Sequence, residues 1–196
     1  MGLSRKKVVM IVVGVIFSFL LLMLITYRTP SERVASILRR NGYTNNNDSS
    51  LYNKQISDFN YDQYAAKLNE NLSAVYEENY FDVKKFQFMK VKMEYSDKIQ
   101  TSFTPKYEYT TKKLSYIYRV VVDDRSTIIF EGTFNPSKDS FVCENTYVYQ
   151  FELSGNESVF CDKIEKNVKD FYLEMTSMIK DANLVYKMMK EEKKND

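Results

Sequence analysis

From residue 90 onward apolar side chains recur at every second position, and this alternation limits that part of the chain to a sheet with a buried face. In "KVKMEY" Val91, Met93 and Tyr95 alternate with Lys90, Lys92 and Glu94. "KYEYT" sets Tyr107 and Tyr109 against Glu108 and Thr110, and "LSYIYRVVV" aligns Leu114, Tyr116, Tyr118, Val120 and Val122. "DDRS" (123–126) reads as a hairpin turn into "TIIFEGTF", and "NPSKDS" (135–140) as a turn into "FVCENTYVYQFEL". The pattern predicts an antiparallel meander of about four neighbouring strands.

Helical spacing flanks this region. In "TPSERVASILRRNG" Thr29 is placed to cap a helix with Glu32 completing a capping box, Pro30 at its first position and Gly42 just past its end. "YTNNNDSS" (43–50) reads as a polar linker and "LYNKQIS" (51–57) as a short strand. Tyr61, Tyr64, Ala65, Leu68, Leu72, Val75 and Tyr76 predict a helix over 60–77, capped by Asp58 or Asn60. A long amphipathic helix is expected from about 159 to 190. Cys161, Ile164, Val168, Phe171 and Met175 open its apolar stripe, while Lys163, Lys166 and Asp170 lie on the other side.

The fold class expected is α+β: an antiparallel sheet flanked by helices and covered by the long C-terminal one. In architecture alone this is similar to cystatin-like and NTF2-like modules; no motif carries the likeness, and it implies no function.

Ahead of these elements, residues 8–27 carry no charge and follow the basic Arg5, Lys6 and Lys7. As a helix they would span roughly 30 Å, the thickness of a bilayer's hydrocarbon core. The run outlasts a signal peptide's apolar core and ends without a small-residue cleavage pattern. The expectation is a retained signal anchor crossing the cell membrane once, with the larger domain outside the cytoplasm. The division is then a basic cytoplasmic head (1–7), a transmembrane helix (8–27), a juxtamembrane helix and linker (28–57), an extracytoplasmic domain (58–190) and a disordered tail (191–196).

Missing residue types narrow the chemistry. There is no histidine, so Ser-His-Asp and Cys-His nucleophiles and His-bearing zinc sites are out of reach. After residue 27 only Gly42, Gly132 and Gly155 remain, too few for a phosphate-cradling loop. Past that point 25 basic residues meet 26 acidic ones, a balance unlike a nucleic-acid binder's basic stripe. No catalytic residue, metal site or cofactor is expected; the one enzymatic alternative is a carboxylate-based hydrolase. Asn47, Asn71 and Asn156 stand in glycosylation sequons.

Two features remain as candidate sites. Cys143 and Cys161 are either a disulfide or two buried thiols. A straight strand would carry the chain away from Cys143, and the inward parity of Asn145 suggests a bulge near "CEN". Ile117, Val121 and Ile129 share the sheet face opposite Leu114, Tyr116 and Tyr118. This second apolar set needs a cover, such as helix 60–77, or a partner. The function expected is therefore binding: a membrane-anchored scaffold component of the cell envelope with an unidentified protein partner. The alternative is a small-ligand or peptide sensor, which would need a deep apolar pocket between helix and sheet.

Overall fold

The alternation is realised as one seven-stranded antiparallel sheet whose strands follow each other in sequence order. The computed structural model describes residues 13–18, 30–45, 50–123, 126–148 and 157–178. The strands are β1 (Leu51–Gln55), β2 (Ala74–Asp82), β3 (Gln87–Ser96), β4 (Ile99–Glu108), β5 (Lys113–Asp123), β6 (Ser126–Asn135) and β7 (Ser140–Val148). Besides the helical residues 13–18, three helices accompany them: α1 (Pro30–Arg40), α2 (Tyr61–Asn69) and α3 (Glu157–Met178).

The expected count of about four strands is corrected to seven. The chief addition is β2. Val75 and Tyr76 continue the spacing of helix 60–77, yet the helix stops at Asn69 and both residues lie in the strand. Its start is capped by Asn60, one of the two expected caps, in a capping box: Asn60 Oδ1 accepts from the Gln63 amide at 2.9 Å, and Gln63 Oε1 accepts from the Asn60 amide at 3.1 Å. Its end is set by Asn71, which takes φ 56°. That turn lets the Leu72 amide reach back to Lys67 O at 2.8 Å, a Schellman closure. Helix α1 ends the same way around Gly42 (φ 82°), with the Tyr43 amide on Leu38 O at 3.0 Å. Thr29, its expected cap, lies outside the described residues.

Several connections between strands escape sequence reading for a related reason. Asp97 and Lys98, with φ 50° and 69°, join β3 to β4 as a two-residue turn of the kind usually built from Asn-Gly. Phe86, Lys112 and Asp139 also adopt positive φ in the other connections. In "NPSKDS" Asn135 Oδ1 accepts from the Ser137 amide at 3.0 Å, and the turn predicted there joins β6 to β7. The bulge expected near "CEN" is absent: β6 and β7 pair in unbroken register from Thr127↔Val148 to Asn135↔Ser140. The one irregularity between β5 and β6 falls at Val121/Asp123.

The sheet's two faces are covered unequally. One face buries Phe81, Phe88, Phe103, Leu114, Tyr118, Ile128 and Phe130 beneath α1 and α3. Helix α3 contributes Ile164, Val168, Phe171 and Met175, and α1 contributes Val34 and Leu38. Phe88 stacks on Phe171 at 5.3 Å, tying sheet to helix at the centre of the core. On the other face α2 sets Tyr64 and Leu68 against Ala74, Tyr76, Met93 and Tyr95, which lie on β2 and β3.

The membrane expectation is overturned. Among the described residues no helix is long and apolar enough to cross a membrane. Of the run 8–27 only residues 13–18 are described; they are helical, with Val13, Val15, Ile16 and Phe17 exposed. The transmembrane helix, the signal anchor, the single-pass placement and the extracytoplasmic assignment that followed from them are not retained. The tail 191–196, the helix beyond Met178 and the remainder of the run lie outside the described residues.

Candidate functional site

Past the reach of α2, strands β4–β7 present a face that no described helix covers. The pairing of the strands fixes what stands there. One row across the sheet reads Thr104, Ile117, Glu131, Glu144, and the next reads Ser102, Arg119, Ile129, Thr146. A third row reads Lys106, Ser115, Thr133, Val142. The structure thus brings Ile117, Val121 and Ile129 together on neighbouring strands and adds Val142 to them. Ile117 is 44% exposed and Val142 45%, while Val121 and Ile129 are half-buried. The helix expected to cover this set packs instead on β2 and β3.

The face is dished. A depression of about 500 Å³ is lined by Thr104, Lys106, Ile117, Glu131, Val142 and Glu144. Glu131 and Glu144 lie directly opposite each other on β6 and β7, both exposed, and neither makes an ion pair among the described residues. Like charges placed so destabilise a sheet unless something outside compensates them. Lys106, by contrast, is satisfied: its ammonium donates to Glu108 Oε1 at 2.9 Å and holds that carboxyl below the usual range. Val142 and Glu144 were legible in principle, since they flank the inward Cys143. Their pairing with Thr133 and Glu131 was not, because it depends on register.

The two cysteines are joined: their sulfurs are 2.09 Å apart and their Cα atoms 6.1 Å apart. Cys143 sits mid-strand on the helix-covered face of β7, and Cys161 lies in the second turn of α3, which lies over that face. Residues 149–156, which make the return between them, lie outside the described residues.

Two buried polar clusters have no counterpart in the sequence reading. Beneath α3, Lys90 Nζ donates to Glu77 Oε1 at 2.8 Å and Glu174 Oε2 at 2.6 Å, and Asn79 Nδ2 donates to Glu174 Oε1 at 2.8 Å. Burial opposes the Lys90 charge, but the two carboxylates outweigh it and hold its pKa above the ordinary lysine value. On the opposite face, Glu78 accepts from Asn53 at 2.6 Å, from Tyr80 at 2.5 Å and from Tyr76. In both clusters the charged groups are paired, while Asn79 Oδ1 in the first is buried without a hydrogen-bond partner. No group of three His, Cys, Asp or Glu side chains among the described residues could hold a metal ion.

Two predictions arise here. Lys90→Met leaves Glu77 and Glu174 facing each other without their cation. A fully buried pair broken this way loses about 3–5 kcal/mol, and the half-exposed Glu174 reduces the expected loss to about 2 kcal/mol, read from urea unfolding. The second concerns alkali. Burial holds the Tyr43, Tyr109 and Tyr116 phenols well above their usual pKa. In the unfolded chain these phenols ionise near pH 10, so stability is intact below about pH 10 and falls as pH rises beyond it. Lys90 acts with the same sign. Tyrosinate absorbance is expected to rise steeply and together with loss of circular dichroism; gradual ionisation of a folded chain would contradict this.

No protein-family model matches the chain, and neither a curated protein nor a solved structure matches it.

Proposed function

We propose that this chain is a non-catalytic interaction protein that presents the open face of β4–β7 to a protein partner. The observation that carries the reading is the contrast between the two sides of the sheet. On the covered side α3 is packed down onto the sheet, Ile164, Val168 and Met175 having no exposed surface at all. A deep apolar pocket there would have favoured a small-ligand sensor. On the other side Ile117 and Val142 stand nearly half exposed around an open depression. Sheet faces with a few apolar anchors inside a polar rim are built like the centres of protein interfaces.

The test is a photo-crosslinking amino acid placed at Ile117 or at Val142 in cells that make the chain, with Lys138 in the β6–β7 turn as control. A discrete protein adduct from both face positions and none from the turn is expected. Absence of an adduct, or equal adducts from the turn, would overturn the reading.

A further inference from the structure

The charges on the open face are sorted by strand. Among the described side chains of β4 and β5 it carries Lys106, Lys113 and Arg119 with one carboxylate, Glu108. On β6 and β7 it carries Glu131 and Glu144, and no cation stands among the described side chains of that half. Glu108 accounts for Lys106, with Lys113 opposite it across the strand pair. Arg119 is exposed and has no ion-pair partner among the described residues, and the same holds for Glu131 and Glu144. Uncompensated charge of both signs is therefore held side by side, one sign on each half of a single face.

Resting on the reading above, we infer that the occupant of this face is a second copy of the same chain, seated face to face about a two-fold axis that runs along the strands between β5 and β6. That axis lays the β4–β5 half of one copy over the β6–β7 half of the other. The axis keeps each row at its own height, so Arg119 of each copy comes over Ile129 of its mate and reaches diagonally, one row along, to the opposed carboxylates Glu131 and Glu144; the contact occurs twice, as an isologous interface requires. Ile117 and Val121 on β5 and Ile129 on β6 flank the axis, where the buried centre of such an interface lies. Sheets pack in this aligned manner about 10 Å apart, within reach of an arginine side chain. Four strands about 4.8 Å apart and ten residues about 3.3 Å each make a footprint of roughly 600 Å². Its corrugated surface approaches the about 800 Å² that each partner contributes to a stable complex. A cationic partner of another kind would meet repulsion from Arg119 and Lys113, whereas a second copy answers both halves at once.

The experiment is sedimentation velocity on the full chain over a concentration series, with circular dichroism confirming that each variant folds. The wild type is expected to sediment as a dimer. Arg119→Glu alone, and Glu131→Lys with Glu144→Lys, are each expected to raise the dissociation constant about 100-fold, because each sets like charges against each other in the homodimer. Mixed one to one, the two variants are expected to recover a dimer, since every contact between them again pairs opposite signs. A wild type that stays monomeric, a dimer indifferent to both variants (as pairing through the β7 edge would be), or variants that stay apart when mixed would each overturn the inference. Crosslinking then separates the two proposals. An adduct of Ile117 with a different protein leaves the interaction reading standing and removes the second copy, whereas no adduct at all removes both.

Discussion

Replacing Phe88 with alanine is expected to lower the unfolding free energy by about 3–5 kcal/mol, the largest effect of any single substitution considered. Phe88 has no exposed surface and stacks on Phe171 of α3 with the rings inclined by 19°. Phe81 on β2 and Tyr43 after α1 close round it at 6.3 and 6.5 Å. Its ring therefore packs against the sheet, the segment that follows α1 and the long helix together. The void left behind cannot be refilled by one neighbour, because Phe171 and Phe81 are held by separate elements. Cavity cost adds to the lost transfer free energy for that reason. Urea unfolding should show the loss as a lower midpoint at unchanged slope. Phe88→Leu, which retains most of the volume, should recover more than half of it. A loss below about 1 kcal/mol for the alanine variant would mean that α3 does not pack here.

Cys143→Ala combined with Cys161→Ala is expected to cost about 3 kcal/mol. The bridge closes a loop of sequence separation 18, and loop-closure entropy for that length is about 3 kcal/mol at 25 °C. What it joins matters as much as how long the loop is. Cys143 belongs to the last strand of the sheet, and Cys161 to the first turns of α3, where Phe160 stacks on Phe130 at 5.5 Å. Without the bridge the start of α3 is held by that ring and little else, whereas Ile164 to Met175 stay buried. Hydrogen exchange should therefore quicken most at β7 and the first two turns of α3, and least at β3. Reductant added to the wild type should reproduce the same loss, and equal stability with and without reductant would count against the bridge.

How much of this was open to sequence reading depended on whether the signal was local. The Asn60 cap (as one of two candidates), the Gly42 stop and the stripe from Ile164 to Met175 are written within a few residues, and all three could be read. Strand β2 could not, because Val75 and Tyr76 happen to keep helical spacing past Asn69 and the breaker is Asn71 rather than glycine. The turns at Asp97–Lys98, Phe86 and Lys112 were silent for the same reason: non-glycine residues hold the positive φ. The parity of Ile117, Val121 and Ile129 was legible from alternation alone. The opposition of Glu131 to Glu144 needed the β6–β7 register, and the joining of Lys90 to Glu174 crosses 84 residues, a distance over which spacing carries no information.

The strict sequence order of the seven strands has a consequence for how the molecule is made. Each hairpin closes over a few residues, so pairing can proceed strand by strand as the chain emerges from the ribosome. Helix α3 comes last, and its tie to β2 through Asn79 and Glu174 spans 95 residues. Until it arrives, a finished sheet displays Phe81, Phe88, Phe103 and Phe130 to solvent or to a chaperone. Nascent chains stalled before residue 157 should therefore be captured by holdases, and release should coincide with synthesis of the stretch from Ile164 to Met175.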